Sequence, residues 1–183
     1  MSEAEIESVL AFWFAEGRDA QWFERDEAFD RAVGGALGAL HERAAAGELD
    51  HWAAEPEGAL ALVVLLDQVP RNLFRGTPRA FATDARALAV CRAALAAGHD
   101  AALADDRRRI FLYLPLEHSE DLADQERCVA LCARLSNPDW LSYAERHRDV
   151  IARFGRFPHR NALLGRATTE AEAAFLQQPG SSF

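Results

Sequence analysis

Apolar residues recur at three- and four-residue steps along almost the whole chain, the period of amphipathic α-helices, and no stretch sustains strand alternation between hairpin turns. Ile6, Val9, Leu10, Trp13 and Phe14 form the first such stripe. Ser2 and Glu5 stand before it in a capping-box pattern, which predicts a helix to about Ala15. A second helix is predicted from near Asp26 through Phe29, Val33, Leu37 and Leu40 to Gly47. Its Gly34, Gly35 and Gly38 either weaken it or let a neighbour approach closely. Pro56 suits the first turn of a third, strongly apolar helix that is expected to end before Pro70.

The second half continues the pattern. Thr77-Pro78 is expected to cap and open a helix carrying Phe81, Ala85, Leu88, Cys91 and Leu95, with Gly98 as its stop. A helix over roughly 105–113 is expected to be cut by Pro115. Ser119 is read as the cap of a helix bearing Leu122, Val129 and Cys132, Asn137-Pro138 as the start of one that Gly155 ends, and Thr169 with Glu172 as a capping box before Phe175 and Leu176. The prediction is an all-α chain, residues 1–183 as a single domain, with about eight helices in antiparallel pairs.

Polar chemistry gathers where these helices must stop, and backbone groups at helix ends lack partners. The first segment, 66–76, holds Asp67, Gln68, Arg71, Asn72 and Arg75 around Pro70. The four-residue spacings of Asp67 with Arg71 and of Gln68 with Asn72 would juxtapose both pairs on a helical turn. Either a helix-ending network or an anion clamp built on Arg71 and Arg75 fits this pattern. The second segment packs Glu117, His118, Ser119 and Glu120 after an apolar helix end, where a histidine beside carboxylates can act as general base or metal ligand. The third holds Arg153, Arg156, His159, Arg160 and Asn161 with no acid among them, stiffened by Gly155 and Pro158. Such charges repel unless Asp67, Glu117 and Glu120, or a bound anion, compensate them.

His147 adds a fourth candidate. It shares a stripe with Trp140, Ala144, Ile151 and Phe154, so it is expected to be at least partly buried and to need a partner. Glu117, Glu120 or Asp67 would supply one.

Charge narrows the partners. The formal net charge is −9, and every one of the 20 basic residues is Arg. Residues 1–70 carry 15 acids against 4 Arg, whereas 145–166 carry 6 Arg against Glu145 and Asp149. The overall balance argues against nucleic-acid binding, which needs a broad basic face, but permits a local pocket for a small anion. The acidic start and the short apolar runs predict no signal peptide and no membrane span, hence a soluble, cytoplasmic protein. Cys91, Cys128 and Cys132 are expected to be reduced and to serve packing; the four-residue step between the last two is not Cys-x-x-Cys, and no metal or cofactor is expected.

Three stretches together resemble a known family. Asp-Gln-x-Pro-Arg-Asn-x-x-Arg-Gly (67–76), Tyr-x-Pro-x-x-His-Ser-Glu (113–120) and Arg-Phe-Gly-Arg-Phe-Pro-His-Arg-Asn-x-x-Leu-Gly-Arg (153–166) are similar to the signatures of an uncharacterised bacterial family catalogued as domain of unknown function 924. Phe12-Trp13-Phe14 and the Trp22, Phe23, Asp26, Phe29, Asp30 stretch match it too. The resemblance implies an all-α, tetratricopeptide-like fold and no mechanism. The chain has no clear 34-residue repeat, which favours a compact pocket over an extended peptide groove.

Three functions follow as expectations. The first is binding of a small anionic ligand, or of an acidic peptide, by Arg71, Arg75, Arg153, Arg156 and Arg160, with Asn72, His159 and Asn161 as orienting donors. The second is an enzyme acting on an anionic substrate, with His118 and His147 and Glu117 or Glu120 as acid/base groups. The third is a polar network that locks helix ends together. Oligomeric state is left open by the sequence.

Overall fold

The computed structural model describes residues 2–181, with the side chain of Ser2 excluded, so the expected Ser2 cap lies outside the described residues. All regular structure among the described residues is helical: α1 (Ser2–Trp13), α2 (Glu27–Ala45), α3 (Pro56–Val63), α4 (Val69–Leu73), α5 (Asp84–Ala96), α6 (His99–Ala102), α7 (Asp106–Glu117), α8 (Leu122–Cys132), α9 (Pro138–Phe154) and α10 (Glu170–Leu176). Short 3-10 turns lie between several of them. No helix among the described residues is long and apolar enough to cross a membrane. The chain divides into two compact units, the first formed by 1–75 and 79–115, the second by 76–78 and 116–183.

In the first unit α3 is the central element. It touches α1, α5 and the 3-10 turn Asp50–Ala54, and residues Ala59 to Leu66 are fully buried. A helix that is apolar on every side belongs in a core. Gly58 permits this, because a Cβ there would run into the Trp52 backbone carbonyl. Trp13, Phe14, Trp22 and Phe23 surround Phe111 at centroid distances of 4.7 to 5.9 Å. Asp26 caps α2, accepting from the Ala28 and Phe29 amides. Along α2, Gly38 admits Leu73, whereas Gly34 and Gly35 face open space.

Pro70 does not end the helix as expected. A π-helical turn, Val64–Gln68, carries α3 straight into α4, and Val69 donates to Val64 five residues back. Pro70 sits in the first turn of α4, where its missing N–H is tolerated. The carbonyls of Leu65 and Leu66 instead accept from the buried His41 Nδ1 at 2.8 Å and Thr83 Oγ1 at 2.5 Å. Pro115 is likewise inside α7, which runs on to Glu117. Thr77-Pro78 opens only a 3-10 turn, and α5 begins at Asp84 after Thr83.

The second unit is built on the pairing of α8 with α9. Val150, Ile151 and Phe157 form its apolar centre with Phe154 and Phe175 against them. Asp121, not Ser119, caps α8 by accepting from the Ala123 amide. Ser119 instead donates to Asp124 Oδ2 at 2.6 Å. The Asn137 cap, the Gly155 stop and the reciprocal Thr169–Glu172 capping box form as the sequence predicts.

Candidate functional site

The first polar segment is held by acids of its own unit. Arg71 makes a two-pronged contact with Asp84 at 2.8 and 3.0 Å, and its guanidinium also lies 3.4 Å from Asp67. Burial opposes the charged guanidinium, but the two carboxylates outweigh it and raise the Arg71 pKa. Gln68 donates to Asp67 at 2.6 Å. Asn72 donates to Asp30 at 2.7 Å, and Arg75 grips both oxygens of the same carboxylate at 2.7 and 2.9 Å. Burial would raise the Asp30 pKa, yet Arg75 and Asn72 hold it below the ordinary value. Asp30 and Asp84 lie 42 residues before and 12 after Asn72, so no local spacing could have named them.

The arginine-rich segment is compensated in the same manner. Arg156 clasps Glu172 at 2.6 and 2.9 Å and also donates to the Ala167 carbonyl. Arg166 clasps Glu120 at 2.6 and 3.0 Å, and Glu120 accepts from the Phe157 amide at 2.8 Å. These contacts lower the Glu120 pKa against the effect of burial. Asn161, fully buried, donates to Glu172 and accepts from Arg166 Nε. Of the acids expected to neutralise this segment Glu120 does so, and Glu172 joins it from α10. Arg153 is exposed, stacks on Phe154 and Phe175, and lines a groove of about 200 Å³ with Arg146 and Val150.

Within itself the second unit also gathers a different set of groups. His147 is buried, as its stripe on α9 predicts, and its Nδ1 donates to the Tyr143 carbonyl at 2.9 Å. The same nitrogen lies 3.4 Å from Glu117 Oε1 at the end of α7. His118 approaches to 6.4 Å between ring centroids, and Phe157 meets the His147 ring edge-on at 5.7 Å. Arg160, also buried, lies over Phe157 and donates to the His118 carbonyl at 3.1 Å. Burial pushes the His147 pKa down to about 3, and the charges of His118, Arg160 and His159 push the same way. His147 is therefore neutral near pH 7. His118 and His159 are half-buried, so the cluster reaches the surface through them.

Behind Glu117 stand two groups that sequence reasoning assigned to packing alone. Cys128 Sγ lies 4.0 Å from Glu117 Oε2 and 3.9 Å from Cys132 Sγ, all three residues being buried. The signal was the four-residue spacing of the cysteines; nothing local placed the glutamate against them.

The described residues form an all-α fold whose polar groups pair at helix ends, beside a histidine cluster that is half-buried at His118 and His159. The model of a bacterial protein family of unknown function, DUF924, matches residues 9–180, and the chain belongs to that family. A solved structure of the protein of unknown function ATU0120 from Agrobacterium tumefaciens is similar over 97% of this chain and 99% of its own, with 42% identity and a TM-score of 0.91. No curated protein matches the chain.

Proposed function

We propose that this protein binds a small anionic ligand, a phosphate or carboxylate, at the His118, His147, His159 and Arg160 cluster of the second unit. One observation carries the reading. The His118 ring lies 6.4 Å from the buried His147 ring, His159 and Arg160 both lie against Phe157, which meets His147 edge-on, and His118 and His159 are half-buried. Guanidinium and imidazole N–H groups recognise carboxylate and phosphate oxygens, and partial burial strengthens those contacts. Of the clamp anticipated from Arg71, Arg75, Arg153, Arg156 and Arg160, this reading keeps Arg160, because Arg71, Arg75 and Arg156 are engaged by Asp84, Asp30 and Glu172 and Arg153 is exposed.

Thermal unfolding in the presence of inorganic phosphate, succinate and a short acidic peptide tests this. A ligand at about 100 times its dissociation constant adds roughly 2.7 kcal/mol. At least one probe raises the melting temperature of the wild type and fails to do so in folded His118→Ala and His159→Ala variants. Absence of any shift, or a shift that survives both substitutions, overturns the reading. A second reading, turnover of the bound anion with His118 in proton transfer, is favoured by the 6.4 Å approach of His118 to His147. Its mark is consumption of the stabilising probe by the wild type and not by His118→Ala.

A further inference from the structure

Cys128 and Cys132 are one helical turn apart on α8, and their sulfurs turn to the same side, 3.9 Å from each other. Glu117 brings Oε2 to 4.0 Å from the Cys128 sulfur, and all three donor atoms lie within 4.8 Å of one another. A tetrahedral zinc ion takes sulfur at about 2.3 Å and carboxylate oxygen at about 2.0–2.2 Å. Tetrahedral angles then place two ligand sulfurs roughly 3.8 Å apart, and sulfur and oxygen roughly 3.5 Å apart. Cys128 stands near that spacing from both other donors already, and the three side chains come from the successive helices α7 and α8. We propose that Glu117, Cys128 and Cys132 form a binding site for a thiophilic divalent metal ion of the zinc type.

The donor set decides the class of ion. Two sulfurs and one carboxylate favour zinc over magnesium or calcium, which seek oxygen alone. Glu117 presents its two oxygens to different neighbours, Oε1 to His147 at 3.4 Å and Oε2 to Cys128. His147 Nδ1 is committed to the Tyr143 carbonyl, so the imidazole stands beside the Glu117 carboxylate without occupying the metal position. Gln125 braces the same corner, its side-chain amide donating to the carbonyls of Glu117 and Ser119 at 2.6 and 2.7 Å. On binding, each thiol loses its proton to solvent and the two thiolates and the carboxylate bind the ion, so two protons leave for each metal taken up. Three protein donors leave the fourth tetrahedral position to water or a small anion.

Titration of chelator-treated, reduced wild-type protein with cobalt(II) tests the site. One equivalent produces the near-ultraviolet thiolate-to-cobalt charge-transfer band, and zinc(II) abolishes it. Cys128→Ser and Cys132→Ser lose the band, Cys91→Ser keeps it because Cys91 lies on α5 in the other unit, and Glu117→Gln weakens zinc binding at least tenfold. Native mass spectrometry of the wild type provides a readout independent of any variant's folding: one zinc bound, with two protons displaced. A wild type that shows neither the band nor retained zinc overturns the site, as does a band that persists in both folded cysteine variants. The phosphate and succinate measurements are made on metal-free protein, so the anion reading and the metal site fail separately.

Discussion

Arg156 and Glu172, 16 residues apart, form a two-pronged ion pair at 2.6 and 2.9 Å that ties α10 to the turn after α9. Glu172 also completes the capping box, accepting from the Thr169 amide. The Arg156 guanidinium first, and the Thr169 amide next, lower the Glu172 pKa from 4.5 to about 2. A carboxyl whose folded pKa is depressed contributes stability that is fully present above its unfolded value and is lost as pH falls through the folded one. Stability should therefore fall between pH 4.5 and about 2 in part through this pair. Arg156→Ala lowers the melting temperature at pH 7 and flattens that part of the acid profile. Circular dichroism melts across the range check both, and an unchanged acid slope in the variant contradicts the assignment.

Two glycines of the first unit should respond oppositely to the same change. Gly35 lies within α2, exposed, with nothing within 4 Å of a Cβ built on it. Gly35→Ala should raise stability by about 0.5–1 kcal/mol through the smaller entropy of the unfolded chain. Gly58 is buried, and its added Cβ meets the Trp52 carbonyl, so Gly58→Ala should cost about 1–3 kcal/mol as the helix shifts away. Urea midpoints at constant m-value measure both.

Phe111 is fully buried at the centre of four aromatic rings, with Phe23 stacked parallel to it and Trp22 edge-on. Phe111→Ala leaves a cavity that these rings cannot fill together, and the expected loss is about 3–5 kcal/mol. Denaturant unfolding followed by tryptophan fluorescence reads the loss directly, since Trp13 and Trp22 border the cavity. A loss below about 1 kcal/mol would show that the rings close over the gap.

Local chemistry was enough to read most of the helices from the sequence. Asp26, Asn137 and Thr169 offer side-chain oxygens to amides two or three residues ahead, and Gly155 takes a left-handed conformation that ends α9. Each device acts within a single turn, so a linear string contains it entire. The same locality explains why His147 was legible as a buried group from its stripe on α9. Membership of the DUF924 family was legible too, because its motifs are contiguous.

Pro70 and Pro115 show where local rules stopped. A proline inside a helix leaves a carbonyl without its usual donor, and around Pro70 the replacement donors are His41, 29 residues earlier, and Thr83, 13 later. Ion-pair choice is decided in the same way. Arg75 takes Asp30, Arg156 takes Glu172 and Arg166 takes Glu120, at separations of 45, 16 and 46 residues. Sequence determined which side chains seek partners and which helix ends they occupy, since valence and helical period are properties of the residues themselves. Only the tertiary structure decided who partners whom, because folding brings distant groups within reach of a hydrogen bond, and that selection is also what set Glu117 against Cys128 and His147.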